Sequence, residues 1–227
     1  MHPKSIGVAF DLDGTLFDSC SVSKSAMREG FKAFWTELGE DGPVPSWDDI
    51  RQFIGLPSYG FFPALLPDSH KENWRLLHKH IGLCEKKRLQ EGRGLTFDGV
   101  HETLQELLKS GYFLGCLSNA SEIYFDSVLD GCRLRGYFDV LVCIGEKPAI
   151  RKTDVLAEWA DGLGGTTNLL YVGDRLADVE AAHEAGLRAV GVTFGYGSRE
   201  ELLAADAVID RMKDLLTVLP RFFKPDN

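Results

Sequence analysis

Two aspartates with a single residue between them follow an apolar run near the start of the chain. Asp11 and Asp13 come directly after residues 5–10, a short segment typical of a buried parallel strand. Like charges this close repel and raise each other's pKa unless a cation neutralises them. One carboxylate can attack phosphorus to give an aspartyl-phosphate, and a second can protonate the leaving oxygen and then activate water. Asp11 is therefore the predicted nucleophile and Asp13 the predicted general acid and base, while Thr15 offers a hydroxyl and an N–H to a phosphate oxygen.

Short apolar runs alternate with helical patterns along most of the chain. Each helical pattern stops at a glycine, a frequent helix end. The alternation predicts an α/β fold with a doubly wound, Rossmann-like parallel sheet, in which ligands bind outside the carboxyl ends of the strands. The predicted strands are 5–10, 112–117, 140–144, 169–172, 189–192 and 207–209, and the predicted helices are 100–110, 122–130, 153–163 and 177–185.

The segment 19–94 breaks this alternation, because it contains helical patterns and no convincing strand. Prolines and glycines mark the joints between its predicted helices, 22–38, 47–54 and 71–89. Its aromatic residues are predicted to form a core of their own. The predicted organisation is an α/β catalytic core of residues 1–18 and 95–227 with an inserted α-helical cap domain, residues 19–94.

Two features of the insertion bear on ligand binding. The sequence Gly55-Leu56-Pro57 and the nearby Arg51 are predicted to face a phosphate. His78 and His80 are two residues apart, a spacing at which helical side chains diverge, so both are predicted to be solvated.

The segment Asp11-Leu12-Asp13-Gly14-Thr15-Leu16-Phe17-Asp18 resembles the first motif of the haloacid dehalogenase superfamily of phosphatases. A second match, Leu117-Ser118-Asn119-Ala120, implies that Ser118 hydrogen-bonds the transferred phosphoryl group and that Asn119 orients it. The resemblance covers residues 5 to about 210, and residues 191–202 resemble the phosphoglycolate-phosphatase branch. It also implies that the insertion is a small helical cap that closes over the core and excludes water.

The family pattern also implies a lysine that neutralises the phosphate and restrains the nucleophile, and two lysines compete for this role. Lys152 opens a predicted helix where the family places its lysine, whereas Lys147 has the Lys-Pro dipeptide often seen there. Lys152 is the favoured candidate, and Lys147 is the alternative.

A Mg²⁺ site is implied by the fourth match, Val172-Gly173-Asp174-Arg175-Leu176-Ala177-Asp178. Mg²⁺ is a hard cation that prefers an octahedron of oxygens and keeps several waters. The implied ligands are the carboxylates of Asp11 and Asp174 and the backbone carbonyl of Asp13. Asp178 is implied as a ligand through water or as a support of the other ligands.

Composition restricts the partners. The formal net charge is −9, so the long-range field would repel nucleic acid and anionic membranes, and any anionic substrate needs local positive charge. No stretch approaches the ~20 apolar residues that span a bilayer, and the N-terminus lacks a signal-peptide pattern. The five cysteines show no CxxC spacing and are predicted to be free thiols. We expect a cytoplasmic monomer or homodimer.

Together these patterns predict a Mg²⁺-dependent phosphatase that hydrolyses a small phosphorylated metabolite, with phosphoglycolate as the leading candidate. The resemblance implies that dehalogenases and phosphonate-cleaving relatives lack the second aspartate, so Asp13 argues against both. A sugar-phosphate mutase, a pyrophosphatase and a nucleotidase stay open. A catalytically silent binding module is the alternative from another class, since fold does not imply function.

Overall fold

A parallel sheet forms the centre of the structure, a computed structural model that describes residues 4–223. The strands, in chain order, are β1 (Gly7–Phe10), β2 (Phe17–Asp18), β3 (Leu95–Thr96), β4 (Phe113–Ser118), β5 (Val140–Cys143), β6 (Leu169–Gly173), β7 (Arg188–Val192) and β8 (Ala207–Ile209). Six of them pair in parallel in the order β5-β4-β1-β6-β7-β8, whereas β2 and β3 form a separate antiparallel pair.

Helices lie between these strands. They are α1 (Cys20–Leu38), α2 (Trp47–Arg51), α3 (Ser58–Ala64), α4 (Trp74–Gln90), α5 (Val100–Lys109), α6 (Glu122–Gly131), α7 (Lys152–Gly162), α8 (Leu176–Glu184) and α9 (Leu215–Val218). The predicted α/β fold with a doubly wound parallel sheet is confirmed.

The order of the strands reverses at β1, because β4 and β5 lie on one side of it and β6 to β8 on the other. The carboxyl end of β1 is therefore at a topological switch point. Strand β1 pairs with β4 on one side and with β6 on the other. A crevice opens at such a switch point, and ligands of α/β proteins bind there. All four residues of β1 are buried, because helices cover both faces of the sheet.

Two apolar clusters cover the two faces of the sheet. One joins β1 to α5 and α6 through residues such as Leu104 and Val128. The other joins the sheet to α7 and α8 through Leu156 and Val179. Burial of these side chains fixes the sheet between its helices and leaves the strand ends free to form a site.

The segment between β2 and β3 is helical and has a third apolar cluster of its own. The predicted aromatic core of this segment is confirmed, because Phe31, Phe34, Trp35, Phe61 and Phe62 are buried in that cluster and Phe53 and Trp74 pack against it. Helix α2 ends at Arg51, three residues before the predicted end. Helix α4 begins at Trp74, after a 3₁₀ turn at Asp68–Asn73.

Helix α3 differs from the sequence prediction, in which Pro57 and Pro63 mark joints between helices. Pro57 precedes the helix as its N-cap, where a fixed φ of −59° fits the entry of the chain. Pro63 lies in the last turn, where it interrupts only the end of a seven-residue helix.

Residues 1–3 and 224–227 of the predicted core lie outside the described residues. Within residues 4–223, no helix combines the length and the apolar character needed to cross a membrane.

Candidate active site

Asp11 and Asp13 lie on a tight turn that leaves the end of β1. The Asp11 N–H donates to the Val172 carbonyl at 2.9 Å, which continues the pairing of β1 with β6. Leu12 and Leu16 are fully buried and anchor the turn. Gly14 has φ of +83°, in the left-handed region that favours glycine. The turn therefore fixes both carboxylates at the switch point of the sheet.

Gly14 is also required by the close approach of the β6 end. A Cβ atom on Gly14 would lie 2.3 Å from Asp174 Oδ2, far inside contact distance. Gly195 lies equally close, since a Cβ there would be 2.3 Å from the Gly14 carbonyl oxygen. The absence of side chains at these positions lets Asp174 approach the turn that carries Asp11.

Lys152 lies between two of the buried acids. Its Nζ donates to Asp11 Oδ1 at 2.6 Å and to Asp178 Oδ1 at 2.7 Å. Burial alone would lower the pKa of Lys152, but the carboxylates of Asp11 and Asp178 outweigh it and raise that pKa well above its ordinary value. Lys152 is therefore a fixed positive charge beside the predicted nucleophile.

The acids of the site nevertheless outnumber its positive charge. Oxygens of Asp11, Asp174 and Asp178 lie within 4.8 Å of one another. Burial raises the pKa of Asp11 well above its usual range, with Lys152 acting in the opposite direction. Burial and the nearby Asp178 raise the pKa of Asp174 to about 7. Three buried acids and one lysine are the environment that a divalent cation would stabilise.

The two carboxylate oxygens of Asp174 provide a second test of whether the cluster fits a divalent cation. Asp174 Oδ2 accepts N–H bonds from Tyr196 at 2.6 Å and from Gly197 at 3.3 Å. Its Oδ1 is buried and has no hydrogen-bond partner among residues 4–223. A buried carboxylate oxygen without a donor is costly, and a hard cation would satisfy it. The acidic cluster therefore fits a divalent metal.

Asp178 has a different environment, because both of its oxygens are already engaged. Oδ1 accepts from Lys152, and Oδ2 accepts from the Arg175 N–H at 3.2 Å. The latter bond is part of the cap at the start of α8. Asp178 thus orients Lys152 and begins the helix that follows Asp174.

Asp13 is held by two hydroxyl donors. The Tyr124 hydroxyl donates to Asp13 Oδ1 at 2.7 Å, and the Ser19 hydroxyl donates to the same oxygen. Burial raises the pKa of Asp13, although the bonds from Ser19 and Tyr124 oppose the shift. A raised pKa favours the protonated form of the carboxyl group, which a general acid needs.

A single cavity joins these acids to the helical segment. It reaches from Asp11, Asp13 and Ser118 to apolar side chains of α1, α2 and α3 and to His78 and Glu85 of α4. Its lining residues are Asp11, Asp13, Ser19, Ser23, Met27, Trp47, Ile54, Gly55, Leu56, Ser58, Phe61, Phe62, His78, Glu85, Ser118, Asn119, Ala120, Ser121 and Tyr124.

The two polar residues at the end of β4 line this cavity in different ways. Ser118 is buried, and its Oγ accepts from the Ala120 N–H at 3.0 Å, so its hydroxyl proton is free to donate elsewhere. The Asn119 side chain donates to the Gly55 carbonyl at 2.8 Å. Asn119 thus ties the cap segment to the core.

Thr15 lies outside the cavity, contrary to its predicted contact with phosphate. Its side chain is fully buried, and its N–H donates to the Leu12 carbonyl at 3.3 Å inside the turn. Its hydroxyl has no partner in the part of the chain that the structure describes. The turn that presents Asp13 directs Thr15 into the interior instead.

Lys147 and Arg51 also lie away from the acids. Lys147 Nζ donates to the Cys143 carbonyl at 3.1 Å in an exposed position. Arg51 is 60% exposed and pairs with Asp48, so the prediction that it faces the phosphate is wrong. Helix α2 ends at this residue, and of the predicted loop 55–57, Gly55 and Leu56 line the cavity.

The prediction that His78 and His80 are solvated is also wrong. His78 lines the cavity, stacks on Phe62 with 4.4 Å between ring centroids, and lies 3.1 Å from the Ser121 hydroxyl. His80 pairs with Glu37 at 2.7 Å and is 15% exposed. The two side chains have different neighbours, as their spacing predicted. Those neighbours belong to other elements, so the spacing alone could not show that both side chains are largely shielded from solvent.

Further residues of the site have no signal in the sequence. Tyr124 and Ser19 orient Asp13, the Tyr196 N–H holds Asp174, and Glu85 contributes a buried carboxyl group to the cavity. The Arg175 side chain donates to the Ile54 carbonyl at 3.2 Å and joins the core to the cap segment. These residues lie outside the motifs found in the sequence or have no implied function within them. The spacing of the acids therefore could not identify them.

Comparison with known proteins gives a consistent family. The profile of haloacid dehalogenase-like hydrolases matches residues 8–192. The chain is 29% identical over 222 residues to a phosphoglycolate phosphatase of Aquifex aeolicus, covering 93% of this chain and 95% of that protein. It is 30% identical over 224 residues to a phosphoglycolate phosphatase of Pectobacterium atrosepticum, covering 94% and 92%.

A solved structure shows the same fold. The crystal structure of a predicted phosphoglycolate phosphatase from Haemophilus somnus aligns with a TM-score of 0.81 at 21% identity, covering 96% of this chain and 99% of that chain. At this identity the match concerns the fold alone. The predicted family and enzyme class are confirmed by the profile and the sequence relatives: the chain belongs to the haloacid dehalogenase-like hydrolases and is a phosphatase related to phosphoglycolate phosphatases.

Proposed function

We propose that the protein hydrolyses a small phosphomonoester in a Mg²⁺-dependent reaction, with Asp11 as nucleophile and Asp13 as general acid and base. The observation that carries this proposal is the meeting of two differently held carboxylates in one cavity. Asp11 is ion-paired with Lys152, whereas Asp13 is held by hydroxyl groups. Distinct environments for paired acids are typical of distinct catalytic roles.

The metal would be held by the carboxylates of Asp11 and Asp174 and by the backbone carbonyl of Asp13. The engaged oxygens of Asp178 favour a supporting role for that residue. When bound, Mg²⁺ supplies positive charge that favours the ionised acids and the phosphate oxygens.

The reaction then follows from the chain's own groups. An Asp11 carboxylate oxygen attacks phosphorus, the bond from phosphorus to the leaving oxygen breaks, and Asp13 gives that oxygen its proton. Water next attacks the phosphorus of the aspartyl-phosphate and passes a proton to Asp13. The bond to Asp11 breaks, which releases inorganic phosphate and restores both aspartates.

Two side chains would hold the transferred phosphoryl group. Ser118 has a hydroxyl proton free for a phosphate oxygen, and Lys152 supplies a fixed charge beside Asp11. Asn119 contributes by orienting this end of the cavity through its bond to Gly55.

The helical segment, residues 19–94, is proposed as a cap domain on a core of residues 1–18 and 95–227. Three contacts with the core support this arrangement: Asn119 and Arg175 donate to the Gly55 and Ile54 carbonyls, and the Ser58 N–H donates to the Gly145 carbonyl at 3.0 Å. A cap held in this way would exclude water during phosphoryl transfer.

The names of the relatives make phosphoglycolate the reference substrate. A sugar-phosphate mutase shares both aspartates and would differ in the acceptor of the phosphoryl group. Cytoplasmic location and a monomeric or homodimeric state remain predictions from the sequence.

A substrate panel tests the proposed function. We expect phosphate release from at least one ester among phosphoglycolate, sugar phosphates and nucleotides in the presence of Mg²⁺, and none with EDTA. The measurement is inorganic phosphate over time. Equal rates with Mg²⁺ and EDTA would contradict the metal dependence, and ³²P transferred to a sugar instead of water would favour the mutase.

The two lysines give a matched pair of variants. Lys152→Met is expected to lower kcat/KM by about 10²–10³-fold, because it removes a preorganised charge from the nucleophile and the phosphate. Lys147→Met is expected to change kcat/KM little, because its ammonium group is exposed. Steady-state kinetics on both folded variants measure this, and the reverse pattern would assign the role to Lys147.

A further inference from the structure

The part of the cavity beyond Asp13 is enclosed mainly by apolar side chains of the cap segment. Met27 of α1, Phe61 and Phe62 of α3, and Leu56 before α3 all line it. In the proposed reaction, the phosphoryl group lies at Asp11 and the leaving alcohol extends into this part. These side chains therefore contact the carbon skeleton of the leaving group.

The cavity lining contains acidic side chains but no lysine or arginine among the residues that the structure describes. Its acidic groups are the carboxyl groups of Asp11, Asp13 and Glu85. Lys152 pairs with Asp11 and Asp178, so its charge is placed at the phosphoryl end. A carboxylate on the leaving alcohol would consequently find no permanent cation at this end of the cavity.

Glu85 and His78 face this space from α4 and can act as hydrogen-bonding groups. The Ser23 hydroxyl donates to Glu85 Oε1 at 2.6 Å, and burial raises the pKa of Glu85 to about 8. His78 lies 3.1 Å from the Ser121 hydroxyl, and burial lowers its pKa. Near pH 7 both groups are largely uncharged and suit hydroxyl or amide groups of a ligand.

Arg88, three residues after Glu85 on α4, is already engaged elsewhere. Its Nη2 pairs with Glu29 at 2.6 Å, its Nε donates to Ser25, and its Nη1 donates to the Cys84 carbonyl. It is absent from the cavity lining. Among the described residues, no lysine or arginine in the lining thus offsets the unfavourable burial of a leaving-group carboxylate.

We infer that the protein prefers phosphomonoesters whose leaving alcohol is uncharged and partly apolar over phosphoglycolate, whose leaving alcohol carries a carboxylate. Glu85, Ser23, His78 and Ser121 bind the polar groups of that alcohol, and the apolar lining binds its carbon skeleton. This inference rests on the proposed function and narrows its substrate class.

Two esters of nearly equal size test the preference. Phosphoglycolate and its amide, phosphoglycolamide, differ mainly in the charge at the far end of the leaving alcohol. We expect kcat/KM at pH 7 with Mg²⁺ to be about 10-fold higher for the amide, a ratio typical of one unfavourable contact in a pocket. The assay is phosphate release from each ester with the full-length wild-type protein.

A pair of leucine variants locates the effect in the cavity. Leu56 lines the cavity and is 46% exposed, so Leu56→Arg adds a cation near the leaving group without burying it completely. Leu83 of α4 is 59% exposed and is absent from the lining, so Leu83→Arg makes the same change of net charge elsewhere on the cap. We expect Leu56→Arg to reduce or reverse the preference for the amide and Leu83→Arg to leave it unchanged.

The possible outcomes separate this inference from the proposed function. Metal-dependent hydrolysis that favours phosphoglycolate over the amide would overturn the inference and leave the proposed function standing. A His78→Gln variant that loses activity on phosphoglycolate alone would also overturn it, because His78 would then carry the charge that binds the carboxylate. Absence of phosphate release from every ester of the wider panel would overturn both.

Discussion

Replacing Asp11 with asparagine is expected to reduce kcat by about 10⁴-fold or more, the scale of losses when a catalytic nucleophile is removed. The amide preserves the shape of the side chain but is a poor nucleophile towards phosphorus. It also removes one charge from the pair with Lys152 and from the proposed metal site. Phosphate release and trapping of the ³²P-labelled protein measure the loss of turnover and of the aspartyl-phosphate.

A distant aspartate provides the control for this variant. Asp68→Asn makes the same chemical change at a side chain that is 94% exposed, and we expect its activity to match the wild type. Thermal unfolding of both variants separates loss of chemistry from loss of fold. Full activity of Asp11→Asn, confirmed by mass to contain asparagine, would contradict the mechanism.

Much of the core could be predicted because its elements are long or are bounded by clear signals. The predicted helices at 100–110 and 122–130 agree with α5 and α6 to within one residue, since an apolar periodicity defines each helix and a glycine ends it. The strands are continuous apolar runs because helices cover both faces of the sheet. Their parallel order then brings the acids after β1 and β6 together.

Other features depend on tertiary contacts, which the periodicity of the sequence does not predict. Strands β2 and β3 have two residues each, too few for a pattern, and exist because they pair with each other. Thr15 was expected at the phosphate, but the geometry of its turn directs it into the core. His78 lies in the cavity because α3 places Phe62 against it. Such positions require the tertiary neighbours to be known.

The hydrogen bonds that orient Asp13 also could not be predicted from the sequence. Spacing predicted a second carboxylate near the first, but the donors that orient it, Ser19 and Tyr124, come from the start of the cap segment and from α6. The proposed acid is thus hydrogen-bonded to the cap segment through Ser19 and to the core through Tyr124. The Ser19 hydroxyl therefore makes the first residue of the cap segment a direct contact of the acid.

Replacing Asp13 with asparagine is expected to affect substrates according to their leaving groups. An alkyl phosphate needs a proton on its leaving oxygen, so kcat/KM should fall by about 10²–10⁴-fold. p-Nitrophenyl phosphate releases a stable phenolate without that proton, so formation of the aspartyl-phosphate should be much less impaired. Its breakdown still lacks the base that activates water. Rapid mixing should therefore show a burst of nitrophenolate close to one equivalent, followed by slow turnover.

The burst distinguishes a proton donor from a residue that only maintains the site. Tyr124→Phe removes one hydroxyl donor to Asp13 but retains the carboxyl group, so we expect a smaller loss and no change in the rate-limiting step. Asp126→Asn, at an exposed ion pair on α6, is expected to behave as the wild type. If Asp13→Asn slowed both esters equally and gave no burst, Asp13 would be a structural residue of the turn, and the proton for the leaving group would have to come from another acid in the cavity.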